Sequence, residues 1–154
     1  MDLRPATAAD APALAALAIA FRDHLARTFP SDAQLAQGVA QLLAAPDAEL
    51  VVACEGIALR GYALLRFRHS MWAAGIEAAL EDLFVDPSAR RGGVGRRLVT
   101  FALERARARG AVTACLDTNE HNTASTRIYG SLGFDCVSRR WNGRQLFYRV
   151  SLTP

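Results

Sequence analysis

Lysine is absent from the chain. All 18 basic residues are arginines, set against 15 acidic ones, so 154 residues carry a formal charge of only +3. Despite a pI near 9.1, no aromatic platform or recognised motif accompanies the arginines, so nucleic-acid binding is not expected. Cysteine is scarce. Cys54, Cys115 and Cys136 are odd in number, far apart and set in apolar strand-like runs. They are read as buried free thiols, which excludes a disulfide framework and fits the cytoplasm. His24, His69 and His121 share no i,i+4 spacing and no paired cysteine, so no metal site is expected. No apolar run approaches the roughly 18 residues of a membrane span, and neither a span nor a signal peptide is read.

What remains is an ordinary globular composition. The chain is 51% hydrophobic and 21% charged, with 11 glycines and 6 prolines, enough to bury one core and fit for a single domain over 1–154. Leu3-Arg4-Pro5 reads as a short edge strand, and Asp10 as the cap of a helix running to about Arg27 on the stripe Leu14, Leu17, Phe21 and Leu25. Ser31 or Asp32 opens a second helix, stopped by Pro46. Leu50–Cys54 and Ile57–Phe67 form a hairpin, with Gly61 as a bulge or close-packing point, and Ala78–Val85 is a further strand ended by Asp86-Pro87. A helix follows as far as Gly110, then a strand Ala111–Leu116 and a short helix Asn122–Leu132. Two tail strands, Phe134–Arg139 and Gln145–Leu152, complete the expected order βααβββαβαββ. This predicts an α/β fold with a mixed, mostly antiparallel central sheet, one splayed parallel pair and about four flanking helices.

Arg90-Arg91-Gly92-Gly93-Val94-Gly95 lies between a strand and a helix N-terminus, where free amides and the helix dipole favour an anion such as pyrophosphate. Gly93 and Gly95 allow close backbone approach, and Arg90, Arg91, Arg96 and Arg97 add charge. The segment is neither a Gly-Lys-Ser/Thr loop nor an early G-x-G-x-x-G.

Arg90-x-x-Gly93-x-Gly95 after a strand ending Val85-Asp86-Pro87 resembles the acetyl-coenzyme A signature of the GNAT superfamily of N-acetyltransferases. The opening Leu3-Arg4-Pro5-Ala6-Thr7 with Asp10, and Asn122-x₆-Tyr129-x₃-Gly133-Phe134, resemble two further signatures of that family. Leu80–Val85 and Gly143–Phe147 look nearest the diamine (spermidine/spermine) group. The resemblance implies an enzyme that moves an acetyl group from acetyl-coenzyme A to a primary amine of a small molecule or peptide, by direct attack in a ternary complex. The pantetheine arm would pair with Leu83, Phe84 and Val85, the pyrophosphate would meet Arg91 to Arg96 with Val94 among them, and Asn122 would bond the arm or its turn. Tyr129 would give a proton to the sulfur. Glu81 would act as base, with Asp82 on the opposite face by strand alternation, and the Val85 amide would polarise the carbonyl. The alternative is a catalytically silent acyl-coenzyme A binding or sensing module. A homodimer covering the tail strand is also expected. Arg66, Arg68, Arg139, Arg140 and Arg144 oppose Glu77, Glu81, Asp82 and Asp23, which predicts an acceptor bearing one or two positive charges rather than spermine.

Overall fold

The computed structural model describes residues 1–138 and 141–152. They fall into two compact units, Met1–Leu116 and Asp117–Pro154.

The first unit is a five-stranded sheet with helices on both faces. Strands β1 (Asp2–Pro5), β2 (Ala48–Glu55), β3 (Ala58–Ser70), β4 (Gly75–Val85) and β5 (Ala111–Leu116) lie in chain order across it. The first three pairings are antiparallel and β4–β5 is parallel. Helices α1 (Ala11–His24) and α2 (Asp32–Ala44) precede β2, and α3 (Val94–Ala108) is the crossover between β4 and β5. Ser31 caps α2 by accepting from the Gln34 amide, while the Gln34 side chain accepts from the Ser31 amide. Asp10 is the N-cap residue of α1, as expected, but its carboxylate makes no cap bond to that helix; it makes a two-pronged ion pair with Arg4 and accepts from the Thr7 amide. It therefore pins the entry to α1 onto the edge strand, and α1 ends at His24 rather than Arg27.

Strand alternation divides the core. Leu50, Val52, Tyr62, Leu64 and Phe84 point to the side where Leu14, Leu17 and Val39 of α1 and α2 are buried. Gly61 faces α3, since a Cβ there would lie 3.2 Å from the Leu98 side chain and 2.7 Å from the Phe84 carbonyl. The close-packing role expected of Gly61 is thus observed, beside a register shift between Ala53 and Cys54. Leu98, Val99, Ala102 and Ala106 make the buried stripe of α3 at helical spacing.

The second unit contains α4 (Thr123–Ser131). The two tail strands are not formed among its described residues, and Arg139, the end of the first, lies outside them. An isolated antiparallel bridge joins Val137 to Arg144, with the Ser138 amide donating to the Gly143 carbonyl and the Gln145 amide to the Cys136 carbonyl. Among the described residues, 146–152 form no strand. Of the three free cysteines, Cys54 is buried and Cys115 half-buried, whereas Cys136 is exposed because the strand expected to bury it is not formed. Among the described residues no helix is long and apolar enough to cross a membrane.

Candidate functional site

Strand β4 outruns its parallel neighbour. The β4–β5 ladder runs from Ile76 opposite Ala111 to Leu80 opposite Leu116 and stops, while β3 stays paired with β4 as far as Val85. Leu83, Phe84 and Val85 thus carry backbone groups with no β5 partner, available to an extended ligand. Phe84 is buried beneath them and stacks on Phe21 at 5.1 Å.

The chain then turns through Asp86, whose carboxylate accepts from the Ser88 amide, into the arginine-glycine segment. Arg91 and Gly93 both adopt left-handed conformations, with φ of 67° and 73°. Cβ atoms at Gly92 and Gly93 would meet nothing within 4 Å, so the turn is open on its outer side. Gly93 is the N-cap of α3 and has no side chain to satisfy the first turn, where Arg97 bonds back to the Gly93 carbonyl. The amides of Val94, Gly95 and Arg96 precede that bond, in the position where a helix start attracts an anion.

The four arginines do not act alike. Arg90 turns back to donate from Nε to the Val85 carbonyl at 3.0 Å and lies over the Phe84 ring, so it braces the end of β4. Arg97 reaches the Met1 carbonyl. Arg91 and Arg96 stand exposed at the turn.

A register shift falls beside the two carboxylates. Leu65 pairs with Leu80 and Leu64 with Asp82, leaving Glu81 as an extra residue in β4. Such a bulge breaks the alternation that put Glu81 and Asp82 on opposite faces. Asp82 lines a cleft with Leu64 and Tyr62 on the α1–α2 face, and the exposed Glu81 lies close enough to favour the charged state of Arg66, which points to that same face. Burial, with a smaller contribution from the Asp82 charge, pushes the Tyr62 phenol far above its ordinary pKa, so it stays neutral. Much of the surrounding charge is already matched: Arg66 pairs with Asp47, Arg68 with Glu77 and Arg22 with Asp23. Arg139 and Arg140 lie outside the described residues.

In the second unit, Tyr129 is half-buried on α4, with its ring edge-on to Phe134 at 6.0 Å. Burial raises its phenol pKa, opposed by a hydrogen bond with Ser125 and helped by the Asp117 charge. Asn122 precedes α4 but makes no side-chain cap; its amide donates to the Thr118 hydroxyl at 3.4 Å.

The acetyltransferase (GNAT) family model matches residues 18–134. The chain belongs to the GNAT acetyltransferase family. It is 32% identical over 124 residues to the aminoglycoside N(6')-acetyltransferase type 1 of Salmonella typhimurium strain LT2, covering 78% of this chain and 81% of that one. It is 38% identical over 66 residues to the bS18-alanine N-acetyltransferase of the same organism, covering 43% and 45%. An acetyltransferase structure from Arthrobacter sp. FB24 superposes with a TM-score of 0.86 at 28% identity, covering 99% and 96%. The complex of AAC(6')-Iy with the bisubstrate analogue CoA-S-monomethyl-acetylneamine gives 0.75 at 26% identity and covers 97% of both chains. This GNAT enzyme transfers an acetyl group from acetyl-coenzyme A to an amine.

Proposed function

We propose that 1–154 is one acetyltransferase domain that binds its co-substrate along Leu83, Phe84 and Val85 and at the turn Arg90, Arg91, Gly92, Gly93, Val94, Gly95 and Arg96, with direct transfer to a bound amine. The observation that carries this reading is the extension of β4 beyond Leu116 of β5, leaving backbone groups that run straight into an open, amide-rich turn. Two glycines with empty space where a Cβ would stand suit a bulky phosphate. Bound acetyl-coenzyme A supplies an activated thioester carbonyl. The Val85 amide is assigned to polarise that carbonyl, and Arg90 holds the end of β4 in place for it. Glu81, exposed at the bulge, takes the amine proton directly or through water. Tyr129, protonated at neutral pH because burial raises its pKa, is assigned as the acid that restores a proton to the departing sulfur, with Asn122 as a contact to the cofactor arm.

The acceptor is a primary amine of a small molecule or a peptide, in keeping with relatives named for aminoglycosides and for an alanine of ribosomal protein bS18. Free thiols support a cytoplasmic setting. Exposed Leu146, Phe147, Tyr148 and Val150 support a homodimer built on the tail, measurable as a doubled mass by light scattering.

A thiol-release assay with acetyl-coenzyme A against polyamines, amino acids, aminoglycosides and peptide N-termini tests the reading. Gly93→Glu should abolish co-substrate binding in a folded protein, and Tyr129→Phe should lower turnover by about 10² to 10⁴ with co-substrate affinity unchanged. Unaltered affinity in the first variant, or wild-type turnover in the second, would remove the corresponding assignment.

A further inference from the structure

The face of the sheet beneath α1 and α2 is not filled. A half-open cleft of about 220 Å³ lies there, walled by Leu14, Leu35, Leu42 and Leu64, with Tyr62 and Asp82 at its sheet side. An apolar cavity of roughly 150 Å³ is already large enough to take benzene. Among the described residues, Asp82 is the one charged side chain lining the cleft. It faces the cleft because it lies opposite Leu64 and two residues from Phe84, both of which point to that side.

A second observation points the same way. Gly38 sits in the middle of α2, where glycine weakens a helix relative to alanine. Its φ is not left-handed, and a Cβ there would meet nothing within 4 Å. Neither backbone conformation nor close packing accounts for it, and Gly38 is itself part of the cleft wall. Any larger residue would project into the opening.

We propose that this cleft is the acceptor pocket, and that it selects a primary amine carried on a compact apolar body, aryl or branched alkyl, with its ammonium against Asp82. The inference rests on the acetyl-transfer reading and narrows its substrate class. A polyhydroxylated polycation would set most of its hydroxyl groups against leucine walls, with only Gln34 and Tyr62 as polar neighbours besides Asp82, whereas a monoamine buries carbon there and brings a single ammonium to Asp82. Asp82 is a specificity residue in this scheme, and Glu81, its neighbour in β4, remains the group assigned to accept a proton from the amine.

Phenethylamine and its uncharged counterpart 2-phenylethanol distinguish the contributions. Titrated into the wild-type protein by calorimetry, the amine should bind at least tenfold more tightly than the alcohol. Asp82→Asn should erase that preference. Gly38→Phe, with Gly38→Leu as a smaller plug, should weaken both ligands at least tenfold while coenzyme A affinity holds and the melting temperature does not fall. An amine affinity untouched by both plugs, an amine no better than the alcohol, or no binding to the wild type would overturn the proposal. If phenethylamine binds as described but no amine releases thiol from acetyl-coenzyme A, the cleft stands and the transfer reading fails. If amines are acetylated and the plugs change neither their KM nor phenethylamine binding, the transfer reading stands and the cleft assignment fails.

Discussion

The two faces of the sheet are packed to different standards, and two glycines show it. On the α3 face, Leu98 and Val99 are wholly buried and Ala102 and Ala106 nearly so, and Gly61 lies so close to the Phe84 carbonyl that even a methyl group has no room. On the α1–α2 face, Gly38 looks into open space bordered by the half-buried Leu35 and Leu42, above the buried Leu14, Leu50 and Leu64. A protein interior normally fills such gaps because every unfilled contact forfeits dispersion energy. One face is therefore built for rigidity, holding β4 where its end must meet a ligand. The other keeps room for one.

The sharpest way to break this contrast is to add bulk where the packing is tight. Gly61→Val places side-chain atoms against a backbone carbonyl 2.7 Å from the first of them. The expected loss is about 4 kcal/mol or more, which approaches the whole stability of a marginal domain. Urea denaturation should find little native protein, and a wild-type midpoint would show that the α3 face yields more than its geometry allows.

Removing bulk tests the same difference more gently. Leu98→Ala empties a fully buried site and should destabilise by about 3 kcal/mol, whereas Leu35→Ala trims a half-exposed cleft wall and should lose less than about 1 kcal/mol. Equal losses by denaturant midpoint would mean that the cleft closes in solution.

Part of this contrast was legible in the sequence. The stripe of α3 follows a 3.6-residue period, and the arginine-glycine turn announces itself through residue types that no other local structure needs, so both were readable without coordinates. Register is not a property of one strand. The bulge at Glu81 arises only when β4 is laid against β3, so alternation read along β4 alone runs through a break it cannot reveal. The tail failed for the complementary reason: the alternation in Gln145–Leu152 is real, but it carries no information about a partner. Tyr129 and Asn122 were singled out by their resemblance to a family signature, whereas the burial that raises the Tyr129 phenol pKa is visible only in the folded chain. The cleft at Gly38 left no trace, since a glycine inside a helical pattern reads as a weakness until its surroundings are known.

Acid separates the faces by their anchors. Asp10 ties the start of α1 to Arg4 of β1, and that hydrogen-bonded pairing, with the Thr7 amide, holds its carboxyl well below the usual range. A depressed folded-state pKa gives stability that is present above the unfolded value of about 3.9 and is lost as pH falls below it. Asp10→Asn should therefore cost about 1 kcal/mol at neutral pH. Its melting temperature should draw level with the wild type's as pH falls from about 4 toward 2. A difference that stays constant across that window would detach the anchor from the ion pair.

The smallest expected change has the most diagnostic sign. Gly38→Ala adds one methyl group in the middle of α2, where nothing stands within 4 Å of it. Alanine restricts the unfolded chain and favours the helix, so stability should rise by about 0.5–1 kcal/mol. The same substitution at Gly61 must lower it, because there the methyl meets a backbone carbonyl that cannot swing aside. One chemical change with opposite signs on the two faces is what the packing contrast demands. If the added methyl narrows the acceptor pocket, the stabilised variant should also show a higher KM for bulky amines, with its affinity for coenzyme A unchanged. Destabilisation at Gly38 would mean that the cleft is occupied by the protein's own side chains in solution, and the distinction between the faces would then disappear.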